Sequence, residues 1–171
     1  MLIRTYSEAS SVESLRKAAN AFLTAAKWYQ ETGLSADQAS CYWKAAQTFE
    51  KLQAYSIATE NYGLASRAYQ ASSAKKSQLR DFYRDLAIYT SACGKVTIAK
   101  QQHTQLQFEL ASKLYNDSAA LLRKTQRWSF LIGFPPRGGE PESERAAAVN
   151  LDCVSLRQFY AGLGDESLTK S

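Results

Sequence analysis

Basic side chains occur at helical spacing in two parts of the chain, and recognition of negative charge is the chemistry that they could perform. The two groups are Lys76, Arg80, Arg84 and Arg123, Lys124, Arg127. Members of the first group follow one another every four residues, which aligns them on one side of a helix. Such groups attract an acidic protein, a nucleic acid or an anionic membrane. A solvated helix face supported by Asp81 and Asp85 is the alternative interpretation.

Two tryptophans are candidate anchors for the same partner. Trp28 and Trp43 lie beside a periodic apolar stripe rather than within it, so the sequence predicts that both are partly exposed. Tryptophan is enriched among the residues that dominate protein interfaces, because it buries a large ring and keeps a polar N–H. The alternative interpretation places both rings at the edge of the core.

Residue combinations for catalysis or metal binding are missing from the sequence. The single histidine, His103, lies among glutamines, with no acidic residue placed to orient it as a base. Glu109 has no partner at metal-ligand spacing. The segment 93–97 has a glycine and a lysine but lacks the rest of a phosphate-binding loop. We therefore expect a protein that is not an enzyme and has no cofactor, no metal and no small-molecule substrate.

The charge of the whole chain agrees with an anionic partner. The 171 residues carry a formal net charge of +5, with a pI of about 9.1. Residues 1–133 include 17 basic and 10 acidic residues, whereas residues 134–171 include 4 and 6. The positive charge therefore belongs to the first part of the chain. Three scattered cysteines without a CxxC pair, and a polar N-terminus unlike a secretory signal, predict a cytoplasmic location.

The elements that position these residues are helices, because one pattern returns every twenty residues. An aromatic residue, two small residues and another aromatic residue occupy positions i, i+3, i+4 and i+7, which share one helix face. The three copies are Phe22-Ala25-Ala26-Tyr29, Tyr42-Ala45-Ala46-Phe49 and Tyr62-Ala65-Ser66-Tyr69. A repeat of this length is about one helix with its turn, so two copies make a helical hairpin, the unit of an α-solenoid.

Capping and breaking signals divide the chain into five or six such helices and a tail. The predicted helices cover about Ser10–Gln30, Ser35–Leu52, Tyr55–Gln70, Lys75–Ala92, Val96–Tyr115 and Ser118–Trp128. All three prolines fall between residues 134 and 141, where regular structure should stop. The sequence thus predicts an all-α solenoid of antiparallel helical hairpins over 1–133 and a Pro/Gly-rich linker over 134–150. A short amphipathic helix and a frayed tail follow over 151–171.

The repeats resemble those of a known family. The segments Ala21–Tyr29, Cys41–Phe49 and Asn61–Tyr69 are similar to the tetratricopeptide-like helical arrays of the SNAP family. These proteins are adaptors that bridge SNARE bundles to their disassembly ATPase, and the similar region covers about residues 15–115. The resemblance implies a non-enzymatic adaptor whose helical surface binds another protein, in vesicle traffic.

Three functions fit these observations. The first is a protein-protein adaptor or scaffold in membrane trafficking, whose basic surface binds a protein with an acidic or helical surface. Peripheral association with a membrane is compatible with the same charge. The second is a basic helical domain that binds nucleic acid, although no glycine-aromatic RNA signature or zinc finger is present. The third is a structural subunit of a larger helical assembly.

Overall fold

Five consecutive helices form the part of the protein that the computed structural model describes, residues 2–75 and 79–125. They are α1 (Leu2–Glu31), α2 (Ser35–Lys51), α3 (Tyr55–Lys75), α4 (Arg80–Thr104) and α5 (Phe108–Leu122). Each helix packs against the next one in an antiparallel direction, and α2 also touches α4. The described ranges contain no strand. The predicted all-α solenoid of antiparallel helices is confirmed.

The same turn follows three of the helices. Two residues beyond the helix, the backbone is left-handed, with φ of 74° at Gly33, 56° at Gln53 and 60° at Leu106. The next amide donates to a carbonyl five residues earlier, in the pairs Leu34 to Tyr29, Ala54 to Phe49 and Gln107 to Gln102. These bonds form Schellman motifs, which satisfy carbonyl groups left over at a helix end. Tight turns of this kind make successive helices antiparallel neighbours.

The small residues of the repeat lie in the core, as their spacing predicts. Four of them are fully buried: Ala26, Ala45, Ala46 and Ala65. Because alanine adds little beyond its backbone, adjacent helices approach closely there, while the flanking rings fill the space above and below. The Ser66 hydroxyl donates to the carbonyl oxygen of Ala87 at 2.8 Å, which fixes α3 against α4. Ala25 is half-buried, and among the described helices α1 packs against α2 alone.

Trp43 belongs to the core, and the prediction that it is partly exposed is wrong. Its side chain is 1% exposed and lies between Tyr69 of α3 and Tyr89 of α4, with ring centroids 6.4 and 5.5 Å away. Edge-on and tilted ring pairs stabilise a core beyond the burial of their area. The physical reason for the error is that α2 is covered by three helices, so its buried face is wider than the stripe. Trp43 is therefore a core residue and not a partner anchor.

Several helix boundaries also differ from the prediction. α1 begins at Leu2 rather than near Ser10, and α4 continues through Gly94 to Thr104. The predicted helix end at Gly94 is wrong because this glycine serves packing. A Cβ at Gly94 would lie 3.4 Å from the Cβ of Tyr62, at the limit of ordinary van der Waals contact, so the backbone of α4 packs directly against α3 at this position. Residues predicted to begin a fifth helix at Val96 therefore continue α4.

Because α4 is longer than predicted, the last described helix begins and ends at other residues than predicted. α5 begins at Phe108 and passes without a break through residues 116–118, where the sequence predicted a turn. The predicted second helix begins at Ser35 as expected, and its capping residue is Leu34, which makes no side-chain hydrogen bond. The linker predicted over 134–150 and the helix and tail predicted over 151–171 lie outside the described residues. The domain boundaries therefore stay predictions.

None of the helices in the described ranges has both the length and the apolar character that crossing a bilayer would require.

Candidate protein-interaction surface

Three helices place basic residues at one end of the stack. α3 ends at Lys75, and α4 begins at Arg80 after a short connection, so both residues lie at the same end. α5 runs antiparallel to α4 and returns to this end, where Arg123 and Lys124 follow its last residue. We define the basic end as five residues: Lys75, Arg80, Arg84, Arg123 and Lys124.

A hydrogen bond between helices fixes this arrangement. The Ser118 hydroxyl of α5 donates to the carbonyl oxygen of Ala92 in α4 at 3.2 Å, so these residues are level with each other. Five residues after Ser118 is Arg123, directly beyond α5, and five residues before Ala92 is Ala87, less than one turn from Arg84. Members of the two predicted basic groups are thus brought to one end. Lys76 and Arg127 lie outside the described residues.

The cations of the basic end differ in their surroundings. Arg84 forms ion pairs with Asp81 (Nη1 to Oδ1, 3.2 Å) and Asp85 (Nε to Oδ1, 3.8 Å), yet its side chain is 59% exposed. The Asp81 carboxylate is also partly exposed, and an exposed pair of this kind contributes about 1 kcal/mol or less. The Asp85 carboxylate is buried, so Arg84 balances a buried charge as well as facing solvent. Arg80 and the two residues after α5 are exposed. The ion pairs with Asp81 and Asp85, on which the alternative interpretation of a solvated helix face rests, are present at Arg84.

Lys75 extends the basic end toward α2 and the turn that precedes it. Its Nζ donates to the Ser35 hydroxyl oxygen at 3.4 Å. Ser35 directly follows Leu34, whose side chain is 46% exposed in the α1–α2 turn. Sequence reasoning missed Leu34, although an apolar residue directly after the left-handed Gly33 was an available signal.

Trp28 lies at the same end, one turn before α1 finishes. Its side chain is 56% exposed, and its ring contacts Tyr29 edge-on at a centroid distance of 5.1 Å. Of the two tryptophans predicted to be partly exposed, Trp28 is the one that lies at the surface. Its role as a partner anchor stays a prediction.

Charges at the opposite end are paired across helices. Glu50 of α2 accepts hydrogen bonds from the Tyr62 hydroxyl of α3 at 2.6 Å and from Lys100 Nζ of α4 at 2.9 Å. Midway along the same stack, Lys95 of α4 lies 3.6 Å from Asp117 of α5. These pairs link the helices to one another, and they leave less positive charge for a partner than the basic end does.

Ionisable groups with altered pKa values lie between helices. Burial, with the nearby charge of Glu50 as a smaller cause, raises the pKa of the Cys93 thiol to about 12. Burial likewise raises the pKa of Cys41. Both thiols are therefore protonated at neutral pH and weakly nucleophilic. The ring of His103 packs edge-on against Phe108, and the described residues contain no group of three or more potential metal ligands.

Comparison with known proteins identifies one similarity. The model of a family described as soluble NSF attachment protein, SNAP, matches residues 5–111, which is more than half of the chain. The matched region extends from α1 to the beginning of α5. Neither the curated proteins nor the solved structures gave a match.

Proposed function

This chain belongs to the soluble NSF attachment protein family, and from that premise we propose that it is a protein-binding adaptor in vesicle trafficking. The match confirms the resemblance carried by the repeats, and a helical-repeat adaptor is the function that this family supports. We propose further that the basic end holds an acidic surface of the partner protein. The observation that carries this proposal is the convergence of Arg80, Arg84, Arg123 and Lys124 at one end of the stack.

The burial of the repeated residues between the helices supports binding through the outer surfaces of the stack. The repeated aromatic and small residues are used in packing the helices together, so a partner has to contact other side chains. Complementary charge accelerates encounter and selects among partners, and solvent-exposed cations suit that task. A stack of helices held together internally can present such cations without rearranging, which lowers the entropy cost of binding.

We also propose that this chain has no catalytic role and that it is cytoplasmic. The surroundings of the ionisable groups support the first of these two proposals. Catalytic groups typically have pKa values tuned toward neutral pH by several charged neighbours in a cleft. Here the raised pKa values of Cys93, Tyr62 and Tyr69 have burial as their main cause. Buried acids that remain protonated are suited to packing between helices.

Affinity capture with two matched charge reversals tests the proposal. The tagged full chain is compared with an Arg80→Glu/Lys124→Glu variant and with a Lys51→Glu/Lys113→Glu control, all four residues being exposed. Both variants change the net charge equally, but only the first changes the basic end. We expect the first variant to lose captured proteins at least tenfold and the control to retain them. Equal losses, or full retention by the first variant, would contradict a partner site at the basic end.

Binding to nucleic acid is the alternative that the same charge permits. A salt titration of the full chain against a generic duplex distinguishes it from protein binding. Association that weakens steeply with salt, and that the Arg80→Glu/Lys124→Glu variant loses, would favour nucleic acid. We expect no association at physiological salt, because exposed Glu31 and Asp37 lie at the same end and oppose a phosphate backbone.

A further inference from the structure

We infer that Trp28 and Leu34 form an apolar anchor site beside Lys75, and that this site takes a large apolar side chain of the acidic partner. The inference rests on the proposed function, because it describes what the partner at the basic end must carry. The anchor site thus consists of Trp28 and Leu34, and Lys75 lies at its border.

The anchor site presents apolar surface from a fixed backbone. Trp28 and Leu34 are both about half exposed, although each side chain is large enough to fill a core position. The amide of Leu34 donates to the Tyr29 carbonyl at 3.0 Å, and the amide of Thr32 donates to the Trp28 carbonyl at 3.1 Å. These bonds hold the turn in one conformation, so little entropy is lost when a partner covers it. Rigid, exposed aromatic residues are the usual anchors of protein interfaces.

Positive charge borders this apolar surface on one side. Lys75 Nζ bonds to the hydroxyl of Ser35, the residue that follows Leu34. From Lys75 the basic end continues to Arg80 and Arg84 on α4. A ligand that seats an apolar side chain at the anchor site can therefore place adjacent carboxylates against these cations. The matching chemistry is a protein segment rich in Asp and Glu with a large apolar residue near one end.

Nearby acidic residues favour a protein segment over a membrane surface. Glu31 ends α1 and Asp37 lies in the first turn of α2, and both are exposed close to the anchor site. A continuous anionic surface would have to approach these carboxylates as well as the cations. A protein segment can direct its own carboxylates toward Lys75 and Arg80 and away from Glu31 and Asp37. Charge complementarity of this kind supports the acidic segment.

The chain provides a matched control for the anchor site. Leu106 and Leu110 are also exposed, 74% and 44%, but they lie at the opposite end of the stack. Near that end the charge of Lys100 is paired with Glu50. Replacing these leucines removes similar apolar surface from a place without the adjacent row of cations.

The experiment uses two synthetic acidic peptides and the full chain. One peptide contains an adjacent Phe and Leu among Glu and Asp residues, and the other has Ser at both positions. Binding is followed by tryptophan emission, which moves to shorter wavelength when an exposed indole is covered. Because the chain also contains Trp43 and Trp128, the difference between the unmodified chain and a Trp28→Phe variant identifies the part of the signal that belongs to Trp28.

We expect the apolar peptide to bind about tenfold more tightly than the serine peptide. The shift in emission should disappear in the Trp28→Phe variant. A Trp28→Ser/Leu34→Ser variant should bind the apolar peptide no more tightly than the serine peptide, whereas a Leu106→Ser/Leu110→Ser variant should bind it like the unmodified chain. Far-ultraviolet circular dichroism of each variant verifies that the helices remain.

Three outcomes would overturn the inference, and they are distinguishable from one another. Equal binding of both peptides, lost on Arg80→Glu/Lys124→Glu substitution, would remove the anchor site and leave the proposed function intact. Absence of binding to either peptide would count against both. A shift of Trp28 emission on anionic phospholipid vesicles, with none on the peptides, would make a membrane the partner of this end.

Discussion

Packing of the helices disfavours the charged forms of two acidic groups, the Cys93 thiol and the Tyr62 hydroxyl. The Tyr62 hydroxyl donates to Glu50, and Cys93 of α4 lies within the electrostatic reach of the same carboxylate. Burial is the largest cause of the raised pKa at both residues. Because an anion at either position would be poorly solvated and close to Glu50, the packed helices require the protonated forms.

Alkaline pH is therefore expected to destabilise the fold. The pKa of Cys93 is about 12 in the folded chain against 9.0 for an unperturbed thiol, so the unfolded chain releases its proton first. The contribution to stability is complete below about pH 9 and is lost as the pH rises toward 12. The free energy of unfolding should fall by at most about 1.4 kcal/mol per pH unit for this group. Urea denaturation at pH 7, 9, 10 and 11 measures the slope.

A Cys93→Ala variant isolates this contribution. Its free energy of unfolding should decline less steeply than that of the unmodified chain between pH 9 and 11. The raised pKa of Tyr62 adds a further decline above its ordinary value of 10.0, and that part should remain in the variant. Identical slopes in the two proteins would show that folding does not raise the pKa of the Cys93 thiol.

The two tryptophans illustrate how far the sequence determines a single residue. Both lie beside the stripe of their own helix, and that position could be read from spacing alone. Their exposure depends on how many helices cover the neighbouring face, and among the described helices α1 packs against one and α2 against three. No local pattern encodes that number. The exposure of Trp28 could consequently be predicted from its position, whereas that of Trp43 could not.

At the scale of the helix, three turns share one geometry but differ in how well their residues suit it. A residue with a Cβ in the left-handed conformation costs about 1–2 kcal/mol, while glycine costs about 0.5–1 kcal/mol through the unfolded chain. Gln53→Gly and Leu106→Gly are therefore each expected to stabilise the fold by about 0.5–1 kcal/mol. Leu106 is mostly exposed, so little apolar burial is lost with its side chain.

Thermal or urea unfolding of the single variants measures the gain. Gly33→Ala is the matched control, because a Cβ at Gly33 meets no atom within 4 Å and only the backbone conformation opposes it. We expect this control to lose about 1 kcal/mol. A gain in stability for Gly33→Ala, or a loss for both glycine substitutions, would mean that the turn geometry does not limit stability.

Helices were predictable from the stripe, but the end of α4 was not. Glycine ends helices at left-handed positions such as Gly33, and it also occurs where two helices approach closely, as at Gly94. The sequence around Gly94 does not distinguish the two uses. The distinguishing fact is the position of Tyr62 on α3, which is a contact between residues far apart in the chain.

At the scale of the whole molecule, the position of that one turn decides where the basic residues meet. A helix ending at Gly94 would reverse the chain there and again near residue 117. The second basic group would then lie within a further helix, predicted over Ser118–Trp128, that runs away from the end holding Arg80. In the structure α4 turns near residue 106 instead, and α5 returns Arg123 to the end that holds Arg80. Each basic group could be found in the sequence, whereas their convergence required the fold.

The pattern of contacts also predicts how the stack opens. Helices contact mainly their neighbours along the chain, so stability should vary along the array as it does in repeat proteins. α3 has a helix on each side and buries eight residues, Ala58, Asn61, Tyr62, Ala65, Ser66, Ala68, Tyr69 and Ser72. In α1, by contrast, Ala19 and Ala26 are the buried residues between positions 11 and 31. Opening α1 therefore exposes much less apolar surface than opening α3.

Amide hydrogen exchange should reveal this gradient. We expect peptides from residues 11–31 to exchange through local opening, about tenfold or more faster than peptides from residues 58–70 and 85–99. Low concentrations of urea should reduce the difference in exchange rate between these peptides, since global unfolding depends more strongly on denaturant than local opening does. Uniform protection of all three regions would instead mean that the stack opens only as a whole. In that case α1, which carries Trp28, would be held as firmly as the centre of the array.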